Sequence, residues 1–251
     1  MDFQAAIRKI EERGDFNRYA EVKSIFEDEL KVLKRDDYTE RGLCYYYLLV
    51  SYLKAQLVHE TEESKDYYEA MDKAFLKQEN TYLVNPKKFS PEEVKDFYRL
   101  MERCYNSLEF LYQKHAFKTR RNEAYQQKMC FRKNSFWFNK EFGGWLEYQF
   151  LNVTCRYGTS LLHWSVTTFV FIILMAFIYM AVDESVTSSL RMVPENGHWY
   201  DYIYFSVIVT TTVGLGDVFP LTFIGKILVS IEAFVGFLML GIFIGLIQKK
   251  L

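Results

Sequence analysis

The stretch "TTTVGLGD", residues 210–217, combines three threonines, two glycines and a single charge, Asp217. Glycine adopts backbone conformations that other residues resist, so Gly214 and Gly216 allow successive carbonyl groups of this stretch to point the same way. The run therefore predicts a non-helical segment whose backbone oxygens face something positive. What surrounds it decides the fold.

Two long apolar segments flank this stretch. Residues 161–182 contain no charged side chain, and residues 221–247 contain only Lys226 and Glu232. Because about 20 apolar residues are needed for a helix to cross a bilayer, we predict an outer helix at 161–182 and an inner helix at 221–247. A buried helix of a soluble protein is the alternative for the first segment, and its length and lack of charge disfavour that reading.

Residues 199–211 lie between the two predicted spans and are too short to cross a membrane. Their apolar and aromatic character predicts a re-entrant helix, with Asp201 in its first turn where a carboxylate favours the positive end of the helix dipole. Non-helical backbone is tolerated at membrane depth only when it is buried in protein or lines water. Rings of carbonyl oxygens can replace the hydration shell of a cation, and such a ring needs several chains.

Residues 211–217 resemble the signature of potassium channels, whose usual form is Thr-Thr-Val-Gly-Tyr-Gly-Asp, in six of seven positions. The order of span, re-entrant helix, signature and span is also that of two-transmembrane potassium channels, and the resemblance covers roughly residues 157–247. It implies a homotetramer with one pore, a filter at 212–217 and K+ as the only bound metal. The implied K+ ligands are the Thr212 hydroxyl and five backbone carbonyls, those of Thr212, Val213, Gly214, Leu215 and Gly216.

Leu215 departs from the family pattern, in which a tyrosine hydrogen-bonds to polar groups of the pore helices. The positions that resemble its usual partners are Phe205 and Val209, so all three members are apolar together. No buried donor is left without a partner by this combination. We therefore predict that a hydrogen-bonded cuff around the filter is replaced by a packed one.

A second departure is Ile208, where many family members have a glutamate that couples to the aspartate after the filter. We expect the Tyr204 hydroxyl to reach Asp217 instead, and we expect a filter that conducts without glutamate-linked inactivation. Thr211 completes the residues expected to support the filter.

Two residues of the inner helix have alternative interpretations. By resemblance, Gly236 lies where the family has its hinge glycine, and a glycine that allows close helix packing is the other reading. Glu232 either faces the cavity and attracts cations or bonds to the back of the pore helix. A charged group at this depth is costly unless it faces protein or water.

The formal net charge is −1, which gives no argument for a nucleic-acid partner, but the charge is unevenly placed. Residues 114–140 carry eight Lys or Arg and one acid, Glu123. This stretch predicts contact with anionic lipids or, equally, a solvated basic face. Further basic residues follow the second span. By the positive-inside rule, the basic residues on both sides of the spans predict that both termini are cytoplasmic, and we expect an integral protein of the plasma membrane.

Residues 1–133 predict a cytoplasmic helical domain. Expected helices cover 16–35, 39–59 and 62–81, and Ser90 with Pro91 marks the start of another. The aromatic and alanine pattern resembles a degenerate tetratricopeptide repeat, and a plain helical bundle is as compatible. Residues 134–160 mix aromatic and charged side chains and predict an interfacial juxtamembrane segment.

The expected fold class is thus all-α, with a cytoplasmic helical domain followed by a pore domain at 161–251. No catalytic constellation, nucleotide loop or organic cofactor site is predicted, and the four cysteines have no metal-site spacing. We expect a potassium channel that is gated through an unknown ligand or protein at residues 1–133. The alternatives are a weakly selective cation channel and a membrane-anchored scaffold with a silent pore.

Overall fold

The computed structural model describes residue 7, residues 19–55, 61–187, 189, 191–193 and 197–248. The described residues contain helices and loops and no strand, as expected for an all-α chain. The helices are α1 (Tyr19–Val32), α2 (Tyr38–Lys54), α3 (Glu62–Val84), α4 (Pro91–Lys114), α5 (Lys118–Phe138), α6 (Phe142–Cys155), α7 (Leu161–Glu184), α8 (Trp199–Thr210) and α9 (Phe223–Gln248).

The chain divides into two compact units, Met1–Glu141 and Phe142–Leu251. This boundary falls inside the segment 134–160 that the sequence assigns to a juxtamembrane region. The first part of that segment continues α5 as far as Phe138, and the second part forms α6. An interfacial location of α6 stays a prediction.

The N-terminal unit packs α2 against α3 and α4 against α5. Its helices differ from the predicted ranges by a few residues. Residues 16–18 of the expected 16–35 helix and residues 56–59 of the expected 39–59 helix lie outside the described residues. Ser90 caps α4 as expected, because its Oγ accepts a hydrogen bond from the Glu93 amide at 3.1 Å. Paired helices occur in repeat arrays and in plain bundles, so the tetratricopeptide resemblance stays a prediction.

Aromatic side chains dominate the core of this unit. Phe75 is fully buried and lies so close to Gly42 that a Cβ on Gly42 would come within 2.3 Å of its ring. Real Cβ contacts are never that short, so Gly42 is what lets α2 approach α3. The remaining fully buried large side chains of this unit include Phe26, Leu48, Leu49, Met71, Met101, Tyr105, Leu108, Tyr112 and Phe131.

A partly buried carboxylate, Asp72, lies beside the same core. Asp72 of α3 accepts hydrogen bonds from the Tyr105 hydroxyl at 2.6 Å and from Gln127 Nε2 at 3.3 Å, which links three helices. Burial raises the pKa of Asp72, and the hydrogen bond from Tyr105 offsets part of that rise. Burial also raises the pKa of the Cys104 thiol to about 12, so this cysteine is an unreactive core residue.

In the C-terminal unit α7 and α9 are antiparallel and α8 packs against both. Trp164 near the start of α7 donates its indole N–H to the Met239 carbonyl of α9 at 3.1 Å, and Tyr179 near the end of α7 bonds to Glu232 of α9. Both α7 and α9 are long and apolar enough to cross a membrane, with mean hydropathies of 2.3 and 2.5. Each begins and ends within two residues of its predicted range.

Candidate functional site

α8 positions the predicted filter stretch, residues 212–217. The helix begins after His198, whose backbone N–H donates to Asp201 Oδ2 at 2.7 Å, so Asp201 caps the first turn in addition to facing the positive end of the helix dipole. It ends at Thr210, one residue earlier than predicted. Its negative C-terminal end therefore points at the filter stretch.

The backbone of residues 211–214 is tied back onto α8. The N–H groups of Thr211 and Thr212 donate to Val207 and Val209, and those of Val213 and Gly214 both donate to the Ile208 carbonyl, at 2.9–3.2 Å. A trans peptide unit holds its N–H and C=O on opposite sides. The carbonyls of Thr212 and Val213, which share peptide units with the last two of the amides, therefore point away from α8.

The sign of φ alternates along the stretch. Thr212, Gly214 and Gly216 have φ of 60°, 54° and 80°, whereas Val213 and Leu215 are not among the residues with positive φ. Alternation between right-handed and left-handed conformations lines successive N–H groups along one side of a chain and successive carbonyls along the other. Thr212 adopts this conformation without being a glycine, which costs energy and is typical of functional sites.

Within one chain the filter stretch is exposed. Leu215 is 63% exposed, whereas Phe205 and Val209 are buried in the core of the unit, where the Phe205 ring lies edge-on to Tyr179 at 5.1 Å. The structure thus does not bring Leu215 together with Phe205 and Val209 within a single chain, as the packed cuff would require. The reason is that these two side chains lie on the face of α8 that packs against the unit's own core.

Tyr204 and Asp217 are in contact. The Tyr204 hydroxyl donates to Asp217 Oδ2 at 2.6 Å, which is the contact expected from the sequence. Ile208 is buried, and its carbonyl is the acceptor for two amides of the filter stretch. Ile208 therefore contacts the filter stretch through its backbone carbonyl, and its side chain packs in the core of the unit.

Glu232 lies behind α8 and is fully buried. Its Oε1 accepts hydrogen bonds from the Ser206 hydroxyl at 2.5 Å and the Thr210 hydroxyl at 2.8 Å, and its Oε2 accepts one from the Tyr179 hydroxyl at 2.5 Å. Two interpretations of Glu232 were open, and in the structure its carboxylate bonds to the back of α8. One carboxylate thus joins three helices of the unit, namely α7, α8 and α9.

A second buried carboxylate, Asp183, was missed by the sequence reasoning. It accepts hydrogen bonds from the backbone amides of Met192 and Val193 at 2.9–3.0 Å and from the Tyr202 hydroxyl at 3.2 Å. Asp183 therefore joins the end of α7 to α8 and to the loop between these two helices. The sequence did contain a signal for the contacts of Asp183 and Glu232 with α8. Polar side chains recur every four residues on one face of this apolar helix, at Tyr202, Ser206 and Thr210.

Gly236 lies against the end of α8. A Cβ on this glycine would come within 2.3 Å of the Thr210 carbonyl oxygen and 2.9 Å of the Thr210 Cα. The absence of a side chain therefore permits the approach of α9 to α8, and α9 continues through Gly236 as one helix from Phe223 to Gln248. This geometry favours the packing interpretation of Gly236 over the hinge.

A comparison with known protein families gives one match, which lies in the C-terminal unit. Residues 164–251 match a family model described as "Ion channel". The matched part of the chain is therefore similar to ion channels, and it includes both helices that are long and apolar enough to cross a membrane, α7 and α9. Neither a curated protein nor a solved structure matches the chain.

Proposed function

We propose that four copies of this chain form a potassium-selective channel that conducts K+ passively through a filter of backbone carbonyls. The observation that carries the proposal is the return of the amides of residues 211–214 to α8, which leaves the Thr212 and Val213 carbonyls directed away from that helix. Carbonyl oxygens in such a row are the groups that replace the water around a dehydrated K+ ion.

Five carbonyls and one hydroxyl are the proposed K+ ligands. The alternation of φ supports extending the row from Thr212 and Val213 to the carbonyls of Gly214, Leu215 and Gly216. Thr211 joins this row to α8, and the bond between Tyr204 and Asp217 holds its outer end. No organic cofactor has a role in this proposal.

The exposure of the filter stretch in one chain supports a tetramer. Val213 and Leu215 are each about three-fifths exposed, and one row of carbonyls contacts an ion from one side only. Neighbouring chains around a central axis would supply the other sides. They would also supply the apolar partners that Leu215 lacks within its own chain, so a packed cuff would form between chains.

The rigidity of that cuff decides between strong and weak selectivity. Leu215 keeps the carbonyl of the signature tyrosine but has no hydroxyl to hold the filter width. The buried carboxylates behind α8 supply stiffness from the other side, which favours a selective filter over the weakly selective alternative. The absence of a glutamate at Ile208 is the basis for expecting no glutamate-linked inactivation.

The rest of the proposal concerns placement and regulation. The basic residues of 114–140 favour cytoplasmic termini in the plasma membrane and contact with anionic lipids. Gating through the N-terminal unit, by a ligand or protein that binds residues 1–133, is the corresponding proposal for regulation.

Reconstitution of the purified full-length chain into liposomes tests the function. We expect K+ efflux that is greatly reduced when Na+ replaces K+, and a tetramer by native mass spectrometry. Gly214→Ala would abolish flux because φ at this position is +54°, which a side chain resists, whereas Gly241→Ala would leave flux intact. Tetramers that pass neither ion would support the scaffold with a silent pore.

A further inference from the structure

The last residue of α8 is held by α9 from two directions. The Thr210 hydroxyl donates to Glu232 Oε1 at 2.8 Å, and the Thr210 carbonyl oxygen faces the bare Cα of Gly236. Glu232 and Gly236 are four residues apart, so they lie on one face of α9, one turn from each other. A displacement of α9 at this level therefore displaces the side chain and the backbone of Thr210 together.

The filter stretch follows Thr210 without a flexible link. The next four amides donate to carbonyls of residues 207–209, in the last turn of α8. Ser206, one turn earlier, is held by the same Glu232 oxygen at 2.5 Å. A continuous series of short hydrogen bonds thus runs from α9 through Glu232 and α8 to the backbone of Val213 and Gly214.

We propose that Glu232 and Gly236 are positioning residues that make the filter geometry depend on the position of the inner helix. This rests on the proposed function, since it concerns the same filter. Movement of α9 alters the filter directly through Thr210, so conduction is regulated at the filter as well as by any closure elsewhere along the pore. Neither residue touches the ion in this mechanism.

The available hydrogen-bond partners define suitable variants. Thr210→Val keeps the shape of the side chain and removes only its hydroxyl, and Thr210→Ser restores the hydroxyl. Ser206→Ala removes the other donor to the same oxygen without adding bulk. Ser230→Ala is the matched control because the Ser230 hydroxyl bonds within α9, to the Lys226 carbonyl at 2.8 Å.

The first readout is the K+ to Na+ permeability ratio of the full-length channel in planar bilayers. Loss of one buried hydrogen bond corresponds to a change of about tenfold, so we expect Thr210→Val to lower the ratio by about that factor. We expect Gly236→Ala to lower it as well, because the added methyl group would displace the Thr210 carbonyl. Thr210→Ser and Ser230→Ala should keep the wild-type ratio. Wild-type ratios in assembled Thr210→Val, Ser206→Ala and Gly236→Ala tetramers would overturn the proposal.

The second readout does not need conduction. Amide hydrogen exchange at residues 211–214 in the detergent-solubilised chain should be about tenfold faster in Thr210→Val and Ser206→Ala than in wild type and Thr210→Ser. If wild-type tetramers pass no K+ but this pattern appears, the proposed function fails and the positioning role stands. Unchanged exchange in both variants refutes the positioning role.

A groove in the N-terminal unit carries a second, independent inference. It lies between α2 and α3 with a volume of about 330 Å³. Half of its lining is cationic and none is acidic: Arg35, Tyr38, Arg41, Tyr45, Ala70, Lys73, Ala74 and Lys77. The two alanines give the groove its depth, because larger side chains on that face of α3 would fill it.

The four cations are unpaired with acids. Among the described residues none of them forms an ion pair, although residues 1–113 as a whole carry 23 acids against 18 bases. Two of them are held in place, since Arg41 donates to the Leu30 carbonyl at 3.1 Å and Lys77 lies 5.6 Å from the Tyr38 ring centre. Like charges gathered in this way repel one another until an anion neutralises them.

An adjoining groove of about 490 Å³ shares Tyr38, Lys73 and Lys77 with the first. Its other lining includes neutral and acidic hydrogen-bonding groups, namely Asn80, Thr81, Glu69 and Asp72. We infer that the pair of grooves binds a phosphate-bearing polar small molecule, with the phosphate among the four cations and hydroxyl or amino groups in the neighbouring groove. The acids of the second groove disfavour a ligand with anionic groups throughout.

Calorimetric titration of the detergent-solubilised full-length chain with inorganic phosphate, which needs only the groove with the four cations, tests this inference. We expect binding that is weakened about tenfold or more by Arg41→Gln or Lys73→Gln and unchanged by Lys87→Gln, an exposed loop residue. Competition by phosphatidic acid in proteoliposomes would identify a lipid headgroup as the phosphate source. Absence of binding heat, or equal binding by all three variants, refutes the site.

Discussion

The two units of this protein bury opposite kinds of side chain. The N-terminal unit hides a large aromatic core behind a charged surface, whereas the C-terminal unit exposes many of its phenylalanines and isoleucines and buries Asp183, Ser206, Thr210 and Glu232. The contrast follows from the solvent. Apolar burial stabilises a unit in water, but in lipid it gives no such gain, so packing and buried hydrogen bonds hold membrane helices together.

This comparison predicts that the stability of the C-terminal unit depends most on one buried carboxylate, that of Glu232. Glu232→Ala leaves the Tyr179 and Thr210 hydroxyls without their acceptor, at about 1–3 kcal/mol each, and leaves the Ser206 hydroxyl only the Ile172 carbonyl. It should cause the largest loss of stability among these variants. Loss of the band of the proposed tetramer on heating in detergent measures this loss of stability. Glu62→Ala, an exposed acid of the other unit, should change nothing measurable. Equal melting of Glu232→Ala and wild type would contradict the buried cluster.

The N-terminal unit should instead be most sensitive to changes in side-chain volume. Gly42→Ala forces a methyl group against the Phe75 ring and should destabilise this unit by about 1–3 kcal/mol, because a close-packed core tolerates extra volume poorly. Hydrogen exchange of α2 and α3 amides in the full-length chain reports the change. Lys95→Ala on the exposed face of α4 is the control, and protection equal to wild type in Gly42→Ala would refute the tight contact.

A smaller effect is expected from pH. Because burial raises the pKa of Asp72, the folded unit binds this proton more tightly than the unfolded chain does. The stability of the unit is therefore highest below the ordinary aspartate pKa and falls as pH rises through the raised value. Asp72→Asn keeps an acceptor for Tyr105 and should flatten this slope, which hydrogen exchange of α3 and α4 at several pH values would measure. An unchanged slope would remove Asp72 as its cause.

The smallest effect on stability is expected at the exposed end of the filter. Tyr204→Phe removes the hydrogen bond to Asp217 where both groups face solvent in a single chain, so melting should be unchanged. Inactivation during prolonged K+ currents should nevertheless change, because we propose that this bond holds the filter in place of a glutamate at position 208. Identical current decay in Tyr204→Phe and wild type would show that the bond has no part in holding the filter.

Several elements were predictable from the sequence because their cause is local. Spans at 161–182 and 221–247 follow from uninterrupted apolar composition, and the start of α4 follows from Ser90 and Pro91. The contact between Tyr204 and Asp217 was expected from side-chain reach and the missing glutamate at 208. The position of Leu215 relative to Phe205 and Val209 was not, because it depends on which face of α8 turns toward α7 and α9.

Composition and the signature by themselves determined that this chain has two membrane helices around a carbonyl-bearing stretch, since hydropathy and glycine spacing act over a few neighbouring residues. Only the tertiary structure decided that Glu232 bonds behind α8, that Asp183 holds the loop between α7 and α8, and that Gly236 lies against Thr210. Those contacts join residues 9–53 positions apart in the chain. Such contacts depend on the relative rotation of three packed helices, which no local pattern encodes.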